Sequence, residues 1–244
     1  MRIIKIILRA LRRIKNELIK FTNRKLNPPK WHNLRSLKPI SNVFGLDRGK
    51  PIDRIYCEDF LNKNKEFING VVCEIAENTY TKKFGSNIIK SEILQFNSTN
   101  PNATIIADLT KHDKLPKNYL DCFICTVTLN FIYDYKAAIE GIWLMLKDSN
   151  KSDMGGGIAL VTVASLIQIS KYDYERWGDY WRFNDMGIKK DFEKFFKNVE
   201  VTTYGNVLSA ISELQGISSE ELTKEELFYH DPLYPVLVCI KAQK

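Results

Sequence analysis

Long apolar runs are missing from this sequence of 244 residues. A transmembrane helix needs about 20 consecutive apolar residues, and no stretch approaches that. Near the N-terminus the longest apolar run is Ile6–Leu8, far too short for the hydrophobic region of a secretory signal. Histidine is scarce, and its three copies are isolated. His32 lies in a linker-like region, His112 four residues after Asp108, and His230 in FYHDPLYP ahead of a final strand. There is no cluster with metal-ligand spacing, no Ser/His/Asp elbow and no P-loop. No metal site is expected. The five cysteines, Cys57, Cys73, Cys122, Cys125 and Cys239, are odd in number and scattered. Cys122 and Cys125 have C-x-x-C spacing, but within LDCFICTVT, which reads as a strand, and no second pair exists. A free thiol in such a run behaves as a small hydrophobe. A disulfide framework is excluded, and a reducing, cytoplasmic setting fits best.

Acidic residues are almost absent from one part of the chain. Residues 1–30 hold ten Lys/Arg and only Glu17, a net +9, whereas the remainder holds 26 bases and 28 acids, a net −2. The overall +7 therefore belongs to the N-terminal segment. That argues against nucleic acid as a partner of the main domain. Within residues 1–26, Ile4, Ile7, Leu11, Ile14, Leu18 and Phe21 recur at spacings of three and four. This predicts one helical stripe. Lys5, Arg9, Arg12, Arg13, Lys20 and Arg24 fall on the opposite face. Residues 1–30 are thus expected to form a basic amphipathic helix. It would pack on its own domain or a partner, or lie in the plane of an anionic membrane face. Pro28-Pro29 marks its end.

Residues 31–69 read as a linker or lid followed by a helix over Tyr56–Phe67. The stretch 43–54, VFGLDRGKPIDR, is dense in turn formers and alternating charge. It is either a salt-bridged cap or a lid on the substrate side. From Gly70 to Lys244 short apolar runs alternate with helical segments. Strands are expected at 71–75, 88–93, 103–107, 122–127, 158–163, 199–204 and 236–241. Helices are expected at 136–146, 191–196 and 213–227. Continuous apolar strands alternating with helices predict an α/β domain with a doubly wound, mostly parallel sheet. Ligands in such sheets bind beyond the carboxyl ends of the strands. Glu74 closes the first run, Glu92 lies 18 residues later, and Asp108 follows the third. Acids at successive strand ends favour a nucleoside-type cofactor, because a carboxylate can accept from both hydroxyls of a ribose.

The segments VVCEIAENTY, KSEIL, ATIIADLTK, YLDCFICTVTLNFIYD and GGGIALVTV fall in an order that resembles the Rossmann-like S-adenosylmethionine methyltransferases. VFGLDRGKPIDRIYCEDFL, YDYERWGDYWRF and TYGNVLSAISELQGISSEEL resemble more narrowly a subgroup associated with bacterial glycan assembly. The resemblance covers roughly residues 40–244 and implies a seven-stranded sheet of order 3-2-1-4-5-7-6 with the last strand antiparallel. It implies that Glu74 and the turn Ala76–Tyr80 face the methionine part of the cofactor. Glu92 would hold the ribose, Asp108 and Leu109 would bracket the adenine, and Thr126–Leu129 would line the site after strand 4. The family's turn usually reads E-x-G-x-G-x-G. Here Ala76, Asn78 and Tyr80 stand at the glycine positions, where the backbone must approach the cofactor and some φ values are positive.

For the acceptor, the segment 172–183 offers aromatic faces with interleaved charge, which suits a sugar. Asp179 is the candidate base or hydroxyl anchor, and Arg176 and Arg182 are candidates for a phosphate or carboxylate. Asp53 and Arg54 reach the same cleft if the 44–54 loop folds over it. The leading expectation is an S-adenosylmethionine-dependent methyltransferase acting on a glycan or glycolipid precursor, peripheral on the inner face of the membrane. The alternatives are a non-catalytic scaffold for glycosyltransferases, with one of them as its partner, or a group transferase that uses a nucleotide-sugar.

Overall fold

The computed structural model describes residues 35–151 and 155–244, with isolated positions between 7 and 18. The chain divides into two compact units, Met1–Lys38 and Pro39–Lys244. In the first, the described positions 7, 8, 11, 12, 14, 15 and 18 are helical. Ile7, Leu11, Ile14 and Leu18 are exposed there. Ile4, Phe21 and the Pro28-Pro29 boundary lie outside the described residues.

The second unit opens with a loop and then helix α1 (Ile52–Lys63). β1 (Gly70–Ile75), α2 (Thr79–Phe84), β2 (Ile88–Gln95), β3 (Ile105–Ile106) and β4 (Cys122–Thr126) follow. Next come α3 (Tyr135–Met145), β5 (Ile158–Ala164), α4 (Lys171–Tyr174) and α5 (Asp185–Phe192). β6 (Asn198–Tyr204), α6 (Val207–Gln215), α7 (Lys224–Phe228) and β7 (Leu237–Gln243) complete it. The strands form one sheet of order β3-β2-β1-β4-β5-β7-β6. β1 to β5 pair in parallel, and β7 runs antiparallel to both β5 and β6.

The apolar runs are continuous because both faces of the sheet are covered. Cys73, Phe123, Cys125, Val161 and Ile240 face a core shared with Ile139 and Ile142 of α3 and Phe192 of α5. Val72, Cys122, Ile124, Leu160 and Cys239 face a second core with Ile52, Tyr56, Phe60 and Leu61 of α1. Each fully buried side chain of this size contributes about 1.5–3 kcal/mol. The period of two along a strand sends Cys122 and Cys125 to opposite faces, so they cannot share a metal. All five cysteines are free and buried, and burial pushes the Cys125 thiol up to about 12.

Several boundaries differ from the sequence reading. The first helix starts at Ile52, directly after Pro51, and ends at Lys63, with a short 3-10 turn over Lys65–Phe67. β2 runs on to Gln95, and only Ile105–Ile106 of the third run pair in the sheet. α5 begins at Asp185, where Asn184 caps it by accepting the Gly187 N–H at 2.7 Å. The expected helix 213–227 is broken. Gly216, at φ 66°, ends α6, and α7 starts again at Lys224 behind the cap Thr223.

Candidate functional site

The carboxyl ends of β4 and β5 open on a cleft of about 510 Å³, which Tyr80 of α2 also lines. Its floor is Tyr80, Thr126, Val127, Asn130 and Ala164. Asp53, Arg54 and Cys57 of α1, with Asn42, Val43, Phe44 and Leu46, make one wall. Ile167, Gln168, Lys171 and Tyr172 make another. At the end of β1, Ala76 takes φ 66°, the left-handed conformation for which glycine is the default. The Ala76 N–H donates to Leu94 O at 3.0 Å, and its carbonyl accepts from Asn100 Nδ2 at 2.6 Å. At the end of β4, Val127 takes φ 44°, an outlier for a β-branched residue. Its N–H donates to Thr162 O at 2.9 Å. Strain of this kind concentrates at ligand sites. The Asn130 Oδ1 is buried without a hydrogen-bond partner, which is costly unless a ligand or water supplies a donor.

Comparison of the sequence with protein-family models and with curated proteins gave no match. Comparison with solved structures did. A possible histamine N-methyltransferase from Thermotoga maritima is similar at TM-score 0.50 and 15% identity, covering 79% of this chain and 91% of that one. The cyclase SpnF is similar at TM-score 0.51 and 13% identity, covering 86% of this chain and 88% of that one. The fold is that of the class I methyltransferases. One neighbour is named for methyl transfer and the other for ring closure, so this fold carries more than one chemistry.

On this fold the residues singled out from the sequence separate into three groups. Ala76, Asn78, Tyr80 and Thr126 stand at the mouths of β1 and β4. Asn78 precedes α2 with φ −126° and donates from Nδ2 to Ser91 Oγ at 3.1 Å. Tyr80, in place of the third glycine, does not point away. Its ring is buried, stacks on Phe84 at 6.2 Å and lines the cleft beside Cys57. Burial, with the neighbouring Cys57 thiol, pushes its phenol well up. Asp53 and Arg54 also line the cleft. The 43–54 loop is both cap and wall. Arg48 pairs with Glu221, the Ser41 hydroxyl donates to Asp47 at 2.5 Å, and Phe44 and Leu46 face the cleft.

A second group is consumed by local structure. Glu74 accepts the Tyr80 and Thr81 N–H groups at 3.2 and 2.9 Å and so caps α2. Burial outweighs those bonds and raises its carboxyl. Asp108 accepts from Thr110 N and Oγ1 at 2.9 and 2.8 Å, closing a turn outside the cleft lining.

The third group needs correction. Glu92 is not at the carboxyl end of β2. It sits mid-strand opposite Cys73, with Oε1 taken by the Tyr119 hydroxyl at 2.5 Å and by Lys90 at 2.8 Å. Against the upward push of burial, these donors hold its carboxyl below the usual range. Gln95 ends the strand, and Phe96 beyond it meets Trp177 edge-on at 5.0 Å. Leu109 is buried in the core and does not line the cleft. The Asp179 side chain is 1% exposed and gripped by Arg182 at 2.5 and 2.9 Å. Arg182 also donates to the Ile167, Gln168 and Trp181 carbonyls. Both side chains line the cleft as expected, where their mutual bonds fasten its wall. Arg176 lies outside the cleft lining, stacked over the Tyr172 ring at 3.5 Å.

The sequence reading missed two residues. Asn130 had no signal, since asparagine is ordinary after a strand. Val127 fell within the expected stretch Thr126–Leu129, but its left-handed backbone was not foreseen. Glu213 could have been found, because it is an acid on the apolar face of LSAISELQ.

Proposed function

We propose that this protein is an S-adenosylmethionine-dependent methyltransferase whose acceptor is a sugar-containing compound, a glycan or glycolipid precursor. The observation that carries the first part is the left-handed turn at Ala76 at the carboxyl end of β1, which leads into a helix that puts Tyr80 in the cleft lining. The chain keeps there the backbone that glycine would give. Residues 76–80, Gln95 and 126–130 would hold the cofactor, which when bound supplies an electrophilic methyl group. The orphan Asn130 Oδ1 offers it, or the acceptor, a buried hydrogen-bond acceptor. Support for a sugar comes from the rim. Tyr172 lines the cleft, and it is exposed together with Tyr174 and Tyr180 of the same segment; such faces stack on the C–H faces of sugars. Asp53 and Arg54 supply charge within reach of hydroxyls or an anionic substituent. Phe44, Leu46 and Ile167 keep much of the lining apolar, which limits water at the reacting centre.

Isothermal titration with S-adenosylmethionine and S-adenosylhomocysteine tests the cofactor. Saturable one-to-one binding is expected. Silence at high protein concentration would remove the methyltransferase reading.

One observation favours a different use of the fold. Tyr80 occupies the third glycine position with its ring in the cleft, and no carboxylate closes β2. A non-catalytic scaffold in glycan assembly, or a group transferase using a nucleotide-sugar, would accommodate both. Thermal stabilisation by nucleoside diphosphates and not by S-adenosylmethionine would select the transferase. Capture of a glycosyltransferase by a protein that binds neither would select the scaffold. Either reading places residues 1–26 as the docking element for a membrane or partner.

A further inference from the structure

One acid near the cleft has no role in the reading above. Glu213 lies on α6 and is 1% exposed. Its Oε2 accepts the backbone N–H of Asp53 at 3.2 Å. Its Oε1 is buried without a partner. Asp53 stands in the first turn of α1 and lines the cleft. A buried carboxylate with an unsatisfied oxygen and a second carboxyl beside it is strongly disfavoured in the charged form. A proton on Glu213 removes that charge and turns the orphan oxygen into a donor.

We propose that Asp53 and Glu213 form a carboxyl pair that holds one proton at neutral pH, with Asp53 the proton-accepting member facing the cleft. The groups around the pair agree with that order. Glu213 meets no cation among the described residues. Burial first, and then the charge of Asp53, push its carboxyl up to about 9. Asp53 is raised by burial and lowered by the Arg54 guanidinium next to it, a cation that Glu213 lacks. Tyr56 and Cys57, also on α1, stay neutral because burial raises both. When Asp53 takes up a proton the pair becomes wholly neutral, which its burial favours. The chemical class served is a hydroxyl or amine. Its O–H or N–H bond breaks and the proton passes to Asp53, while the heteroatom's electron pair would form the bond to the methyl carbon supplied by a bound sulfonium cofactor, whose sulfur would leave with the pair of the broken C–S bond. Glu213 is a positioning residue whose own proton stays in place. The use of the pair on an acceptor rests on the methyltransferase reading; its existence does not.

The experiment is a carboxyl carbon NMR titration of the full chain, with Asp53→Asn and Glu213→Gln as assignment variants. Glu213 should titrate near 9, and its midpoint should fall by about one unit or more in Asp53→Asn as the neighbouring charge is removed. Glu213→Gln, which copies the protonated acid, should melt at the wild-type temperature at neutral pH. A Glu213 midpoint in the ordinary carboxylate range, or one unmoved by Asp53→Asn, would overturn the pair. So would severe destabilisation of Glu213→Gln at neutral pH. Because no cofactor is used, failure here is separate from failure of the titration with S-adenosylmethionine.

Discussion

Asp179 and Glu213 are both acids near one cleft, and their partners give them opposite fates. Asp179 is buried against Arg182 and the Ser170 N–H, so its charge is matched and its work is structural. Removing one member of a buried pair strands the other, at a typical cost of 3–5 kcal/mol. Arg182 keeps some exposure, so Asp179→Ala is expected to cost about 3 kcal/mol in urea unfolding. Unchanged stability with lost ligand binding would instead return Asp179 to a direct role. Glu213 has no such match, and its effect appears as pH dependence. Its folded-state pKa is raised from 4.5 to about 9, so the folded state binds the proton more tightly than the unfolded chain does. The stability this adds is complete below pH 4.5, declines as pH rises, and is gone above about 9. Asp53 and Glu74, raised by burial, add the same sign. Thermal melts of the wild type should therefore fall across that window, and the slope should flatten in Glu213→Gln. Equal slopes in the two proteins would show that Glu213 ionises normally.

The turn from β1 into α2 shows what the sequence could and could not say about an element. The mostly parallel sheet was legible because apolar runs flanked by helical segments specify two covered faces, whereas its strand order came from the resemblance to the methyltransferases. The turn was legible as a departure, since Ala76, Asn78 and Tyr80 replace glycines. That Ala76 keeps a left-handed backbone while Tyr80 turns inward was not legible, because the first is held by hydrogen bonds to Leu94 and Asn100 and the second by packing with α1. The site at β2 was misread for a related reason. Spacing from Glu74 picked out Glu92, but the strand continues through Leu94 and Gln95, and an apolar run does not announce its last paired residue. Helix 213–227 failed on Gly216, whose φ of 66° stops α6. A left-handed alanine carries a penalty of roughly 1–2 kcal/mol, partly offset because glycine loses more entropy on folding. Ala76→Gly should accordingly raise stability by about 0.5–1 kcal/mol, read by chemical denaturation, and should tighten any cofactor binding. Destabilisation would mean that the alanine methyl packs usefully where it stands. Tyr80→Gly is expected to cost about 3–5 kcal/mol, as other large-to-small aromatic changes in cores do.

At the scale of the whole molecule the charge is divided, +9 over residues 1–30 and −2 over the rest. Among the described positions of the first unit, Ile7, Leu8, Leu11, Ile14 and Leu18 are 52–61% exposed on a helix that also carries Arg12 and Lys15. No helix among the described residues is long and apolar enough to cross a membrane. An exposed apolar stripe beside dense positive charge fits a surface that is apolar below and anionic above. Each Lys or Arg held near such a surface contributes about 1 kcal/mol. Ten are present in residues 1–30, so engagement of half of them would approach what a single acyl chain provides. The proposed glycolipid acceptor would lie in the same surface, which would raise its concentration near the cleft without any added affinity of the cleft itself. The full chain should therefore co-sediment with phosphatidylserine vesicles and much less with phosphatidylcholine vesicles. Because surface charge is screened within about 8 Å at physiological ionic strength, binding should weaken steeply as salt is added. Deleting residues 1–26 should abolish it while leaving the melting of the second unit unchanged. Equal sedimentation of the truncated protein would remove the membrane role, and salt-independent binding would assign the stripe to a protein partner instead.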